Sequence, residues 1–134
     1  MGRLANPSAG SSPERKILLA VGNATGNHES FLAALSLCKR MSASLDILCV
    51  TNCRAKDNAL EDFLLVLESE KVFYRLVKKV GNFDIEVADY VNHFKSILFV
   101  VMPPPVGWPG KKTRDYWGKV GCPLVITGGD SYKK

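Results

Sequence analysis

Residues 15–50, RKILLAVGNATGNHESFLAALSLCKRMSASLDILCV, decide the fold. The segment opens with KILLAV (16–21) and closes with LDILCV (45–50), two short and almost unbroken apolar runs. Runs of this kind are strands covered on both faces. Between them the turn-forming GNATGN (22–27) leads into HESFLAALSLCKRMSA (28–43), where Phe31, Leu35, Cys38 and Met41 recur at the spacing of one helical face. Strand, helix, strand is a right-handed crossover between parallel neighbours, because an intervening helix returns the chain to begin the second strand in the direction of the first.

The pattern repeats. DNALEDFLLVLESE (57–70) puts Leu60, Phe63, Leu64 and Leu67 on one helical face behind Asp57 as N-cap. VFYRLV (72–77) is a third strand, more polar and alternating. NFDIEVADYVNHF (82–94) carries Val87, Tyr90, Val91 and Phe94 on a helical face, and SILFVV (96–101) is a fourth, apolar strand. A short helix from Thr113 to Val120, capped by Thr113, then precedes PLVIT (123–127), the fifth strand. Strands alternating with helices imply an α/β fold, a five-stranded parallel sheet with helices on both faces. The apolar strands 16–21, 45–50 and 96–101 belong in its middle. VFYRLV, where Tyr74 or Arg75 needs an outlet to water, fits an edge, which gives the Rossmann-like order 3-2-1-4-5.

At 134 residues with 46% hydrophobic content, the chain has material for one core. Residues 15–134 are expected to form one domain. Residues 1–14, rich in Gly, Ser, Pro and Ala without periodicity, are expected to be a disordered leader or a linker, in which case the domain is an accessory to a larger protein. No apolar run approaches the roughly 20 residues of a membrane span, and residues 1–15 lack a signal-peptide core, so a cytoplasmic location is expected. Cys38, Cys49, Cys53 and Cys122 have neither Cys-x-x-Cys spacing nor paired histidines, and each sits in or beside an apolar segment, which favours free thiols over metal ligands. His28 falls at a helix start and His93 near a helix end, with nothing to bring them together. No nucleophile set, carboxylate pair or metal spacing stands out, and no catalytic role is assigned.

The charge is uneven. Residues 1–15 carry two positive and one negative charge, residues 16–101 ten of each, and residues 102–134 six against two, so the net +5 divides as +1, 0 and +4. Most of the surplus lies in a stretch that begins MPPPVGWPGKKTRD (102–115). It lacks the aromatic-interleaved sheet face or recognition helix of a nucleic-acid binder.

Residues 15–50 together with GCPLVIT (121–127) resemble the two ends of universal stress protein domains, and the resemblance extends over about residues 15–127. It implies an adenine-nucleotide α-hydrolase-like fold. In nucleotide-binding members an acidic residue after the first strand holds the adenosine part, the end of the second strand lines the base pocket, and a glycine-rich loop after the fourth strand holds the phosphates. The residues at corresponding places here are Val21, Gly22 and Asn23, then Val50, then Gly107, Gly110, Lys111, Lys112 and Thr113. The family's carboxylate is replaced by Gly22 and Asn23. Gly107 and Gly110 keep a Gly-x-x-Gly, but the loop that follows is shortened. Phosphate loops use glycine because backbone N–H groups must turn toward the anion, whereas Pro103, Pro104, Pro105 and Pro109 contribute no N–H.

Two readings follow. In one, the chain is a non-catalytic universal-stress-like domain with a degenerate nucleotide pocket and no cofactor, acting in stress response or regulation through dimerisation or as an accessory domain. In the other, it senses ATP, AMP or another small anion, with Lys111, Lys112 and Arg114 meeting the free N–H groups of the last helix at the sheet's carboxyl edge. Trp108 either stacks on a base or covers core or an interface. The resemblance also implies a homodimer in which fifth strands pair antiparallel, which puts Leu124, Val125 and Ile126 at the interface.

Overall fold

The computed structural model describes residues 15–22, 27–51, 58–105 and 107–127. The leader, Asn23, Cys53, Asp57 as N-cap and the tail SYKK therefore lie outside the described residues. The elements are β1 (Lys16–Val21), α1 (Asn27–Met41), β2 (Ser44–Thr51), α2 (Asn58–Ser69), β3 (Tyr74–Val80), α3 (Phe83–His93), β4 (Ile97–Met102), α4 (Lys111–Gly118) and β5 (Leu124–Ile126). All strand pairings are parallel, and the sheet order is β3-β2-β1-β4-β5.

Alternation along β1 divides the core into two layers. Ile17, Leu19 and Val21 pack with Phe31, Ala34 and Cys38 of α1 and Phe63 and Leu67 of α2. Leu18 and Ala20 pack with Val87, Tyr90 and Val91 of α3 and Trp117 of α4. Successive strand residues point to opposite faces, so a strand covered on both sides must be apolar throughout. Between α1 and α2, Phe31 and Phe63 stack with centroids 4.6 Å apart. Asn82 caps α3, its side chain accepting from the Ile85 N–H at 3.0 Å.

Two elements are shifted by two residues or more at both ends from the sequence reading. Strand β3 covers Tyr74–Val80 rather than 72–77. Lys71 turns the chain with φ 61°, and the Val72 N–H is taken by the Leu67 carbonyl, so 72 still belongs to the exit from α2. The ladder then runs on through Lys78 and Lys79, which an edge strand tolerates. Helix α4 begins at Lys111 with Gly110 as N-cap, two residues before the expected start, so Thr113 lies inside the first turn and is not the cap. Gly107 has φ +88°, and a Cβ there would lie 2.5 Å from the Thr113 Oγ1. Only glycine permits that turn, and the turn brings the chain into helix at once.

Cys38, Cys49 and Cys122 form no disulfide among the described residues. Burial pushes the Cys38 thiol from an ordinary 9.0 up to about 12. The unfolded chain releases that proton near pH 9 and the folded chain does not, so folding is favoured below pH 9 and loses this contribution as the pH rises toward 12. Urea denaturation at pH 8 and pH 11 should show the decline, and Cys38→Ala should make it shallower, the raised phenols of Tyr90 and Tyr116 accounting for part of what is left. An equal decline in that variant would assign it elsewhere.

Candidate functional site

The carboxyl edge of the sheet collects the chain's unusual residues. β1 ends in buried Val21 and passes to half-buried Gly22, while buried Val50 lies near the end of β2. Phe83, the first residue of α3, lies against Gly22. A Cβ at position 22 would be 3.2 Å from the Phe83 Cδ1 and 3.8 Å from the Val50 carbonyl oxygen. The Phe83 ring in turn lies 6.4 Å from Trp117, centroid to centroid, and Trp117 contacts Tyr116 edge-on at 5.3 Å. Tyr116 donates its hydroxyl to the Asp84 carbonyl at 3.0 Å, which ties α4 to the first turn of α3. Burial raises the Tyr116 phenol, and the charges of Asp84 and Asp89 push it the same way.

Sequence reasoning passed over Phe83. The signal was present: Phe83, Val87, Tyr90, Val91 and Phe94 form one helical stripe, with Phe83 a turn before the first residue named from it.

The loop after β4 keeps Pro103 and Pro105 buried and Pro104 exposed. Two of its amides turn inward. Trp108 N–H donates to the Pro105 carbonyl at 3.0 Å, Gly110 N–H donates to the Gly107 carbonyl at 2.7 Å, and Pro109 has none to give. Lys111 Nζ pairs with Asp115 Oδ2 at 3.0 Å along its own helix, and Lys112 and Arg114 are exposed. The structure thus sets Gly107, Gly110, Lys111, Lys112 and Thr113 in one turn and the first turn of α4, with Val21, Gly22 and Val50 at the strand ends. Trp108 is half-buried.

A second polar junction lies behind this edge. Ser30, fully buried in the first turn of α1, has its Oγ 2.5 Å from the Thr127 Oγ1, and the Thr127 N–H donates to the Met102 carbonyl at 2.9 Å. It fastens α1 to the ends of β4 and β5. β5 pairs with β4 alone among the described strands, and Leu124, Val125 and Ile126 are each half-buried. Among the described residues no group of His, Cys, Asp and Glu could hold a metal ion, and no helix is long and apolar enough to cross a membrane.

No family model matches the sequence, and no curated protein matches it. In structure the chain is similar to the universal stress protein UspA from Lactobacillus plantarum, at 16% identity and TM-score 0.58, over 86% of this chain and 98% of that one. It is similar to a universal stress protein from Archaeoglobus fulgidus DSM 4304 at 14% identity and TM-score 0.68, over 96% of this chain and 50% of that one. A universal stress protein family protein from Arabidopsis thaliana, solved with AMP bound, superposes at TM-score 0.56 with 15% identity, over 90% of this chain and 97% of that one. Identities this low establish the fold alone. A parallel sheet in the order β3-β2-β1-β4-β5, layered by α1 and α2 on one face and α3 and α4 on the other, makes this chain a universal-stress-protein-like domain in fold.

Proposed function

We propose that the chain is a non-catalytic, cytoplasmic universal-stress-like module that serves stress response or regulation through homodimerisation or as an accessory domain, with its nucleotide pocket closed by its own side chains. The observation that supports this reading is the Phe83 ring packed on Gly22 beside the Val50 carbonyl, at the strand ends where the resemblance puts the adenosine part. The turned-in amides of Trp108 and Gly110 support it at the phosphate end. A phosphate loop works by offering N–H groups outward, and these two donate within the loop.

AMP in the Arabidopsis thaliana neighbour favours the second reading, a nucleotide or small-anion sensor. The Lys111–Asp115 pair weighs against it, because that cation is engaged along the helix surface. Dimerisation draws its support from β5, a short apolar edge strand whose pairing would cover Leu124, Val125 and Ile126.

One preparation tests both halves of the proposal. Light scattering is expected to give a mass near twice the 14.7 kDa of the chain, lowered by Val125→Pro, since proline removes a ladder donor. Titration calorimetry with AMP, ADP and ATP is expected to show no micromolar binding. A single-chain mass at high micromolar concentration overturns the association, and micromolar nucleotide affinity overturns the closed pocket.

A further inference from the structure

Of the polar residues described, only Ser30 and Asp46 are buried in the core. Asp46 is 2% exposed, the third residue of a strand between two helical layers. Moving a carboxylate there from water costs several kcal/mol unless partners compensate. Its Oδ2 accepts from the Tyr90 hydroxyl at 2.8 Å and from Arg75 Nη2 at 3.1 Å. The same Nη2 donates to the Tyr90 oxygen at 2.9 Å, and Lys16 Nζ stands 4.0 Å from the carboxylate. The Arg75 guanidinium lies over the Phe94 ring, 5.3 Å from its centroid. Three elements, β2, β3 and α3, therefore hold one guanidinium in one place.

Stability alone does not call for that device, because well-packed apolar residues replace a buried ion pair at little or no cost. Its specific result is geometric. Both Arg75 bonds leave from Nη2, whereas a guanidinium carries five N–H donors. Those on Nη1 and Nε donate to no described residue, and the Arg75 side chain is 50% exposed. A fixed, half-exposed guanidinium suits a carboxylate, to which its remaining N–H groups can donate charge-assisted bonds.

Arg75 lines a groove of about 760 Å³ between β3 and α3, within the usual range of small-molecule sites. The β3 wall adds Lys79, and the α3 wall carries Glu86 and Asp89, so the two walls are of opposite sign. Two carboxylates in the same groove as the arginine oppose a multiply charged anion such as a phosphate and favour a ligand with a cation of its own. Glu86 lies four residues, about 6 Å along the helix axis, before Tyr90, the residue whose hydroxyl accepts from Arg75, so the acidic wall and the guanidinium belong to neighbouring turns of the groove.

We infer that the groove between β3 and α3 binds a small zwitterion of amino-acid or dipeptide class, with its carboxylate on Arg75 and its ammonium against Glu86 and Asp89. The site lies on the β3 side of the sheet, apart from the Phe83–Gly22 contact, and owes nothing to the nucleotide reading.

The test is a titration of the ¹⁵N-labelled full chain with alanyl-alanine, using N-acetyl-alanyl-alanine, acetate and inorganic phosphate as comparators. Alanyl-alanine should produce saturable shifts at Arg75, Val77, Tyr90 and Phe94. Arg75→Lys, which keeps the charge and loses the planar set of fixed donors, should weaken binding about tenfold, the scale of one charge-assisted hydrogen bond. Should that variant lose its fold, the double variant Glu86→Gln with Asp89→Asn, away from the Asp46 network, carries the test. It should erase the preference for alanyl-alanine over its acetylated form. The inference is overturned by the absence of saturable shifts with alanyl-alanine, by acetate or phosphate binding as tightly, or by a preference unchanged in the double variant.

Discussion

Asp46→Ala should lower the unfolding free energy by about 3 kcal/mol, the low end of the cost of removing one partner from a buried pair. Two groups lose their acceptor at once. The Tyr90 hydroxyl, in a residue only 6% exposed, is left in the core with Arg75 Nη2 as its one hydrogen-bond partner among the described residues, while Arg75 is half-exposed and can turn to water. That freedom keeps the cost from the upper end of the range. Asp46→Asn retains an acceptor oxygen at the same place and should cost about 1 kcal/mol, the net worth of an ordinary hydrogen bond. Tyr90 reports the same contact independently: burial raises its phenol, and the hydrogen bond to Asp46 raises it further. In Asp46→Ala the phenol should therefore titrate at lower pH than in the parent. Urea unfolding of the two variants settles the ordering, and an alanine variant within 0.5 kcal/mol of the parent, inside the ordinary scatter of surface substitutions, would mean that the network is decorative.

The second large effect belongs to Trp117. At 1% exposure it is the largest fully buried side chain, and its removal leaves a void beneath α4 beside Phe83. Trp117→Ala should cost about 4 kcal/mol, in the range of buried tryptophan truncations. Trp117→Phe should cost far less. The indole Nε1 has no hydrogen-bond partner among the described residues, so a phenyl ring gives up volume without orphaning a partner. Comparable losses for Phe and Ala would show that the nitrogen is satisfied in solution, for instance by water. Because Trp117 backs Phe83, the alanine variant should also loosen the contact over Gly22.

The strand order was legible because β1, β2 and β4 advertise their position: a strand covered on both faces cannot carry water-seeking side chains, and these are nearly free of them. Asp46 is the exception within LDILCV, and a lone carboxylate in such a run implies a compensating partner. Nothing local names that partner, since Arg75 is 29 residues away and Tyr90 is 44. The sequence reading gave Tyr74 or Arg75 an outlet to water. Arg75 has it, half-exposed while it reaches back to Asp46, and Tyr74 donates to Glu68 Oε2 at 2.9 Å in an exposed bond. Only the fold, which sets Asp46 opposite Arg75 in the β2–β3 register, brings them together. The α4 boundary escaped for a different reason. Thr113 has the chemistry of an N-cap, but the conformation of Gly107 determines where the helix can begin, and a positive φ leaves no mark in the sequence beyond the glycine itself. Phe83 was missed because it opens its helix, where the eye looks for caps and acids before core.

The closed pocket is tested most directly by following the amide signals of Gly22, Phe83, Gly107 and Gly110 in the ¹⁵N-labelled chain while AMP is added to millimolar excess. With the Phe83 ring on Gly22 and the Trp108 and Gly110 amides donating within the loop, these four signals should stay in place and calorimetry should register no saturable heat. Concerted, saturable shifts of Gly22 and Phe83 with Gly107 and Gly110, at micromolar AMP, would contradict the account.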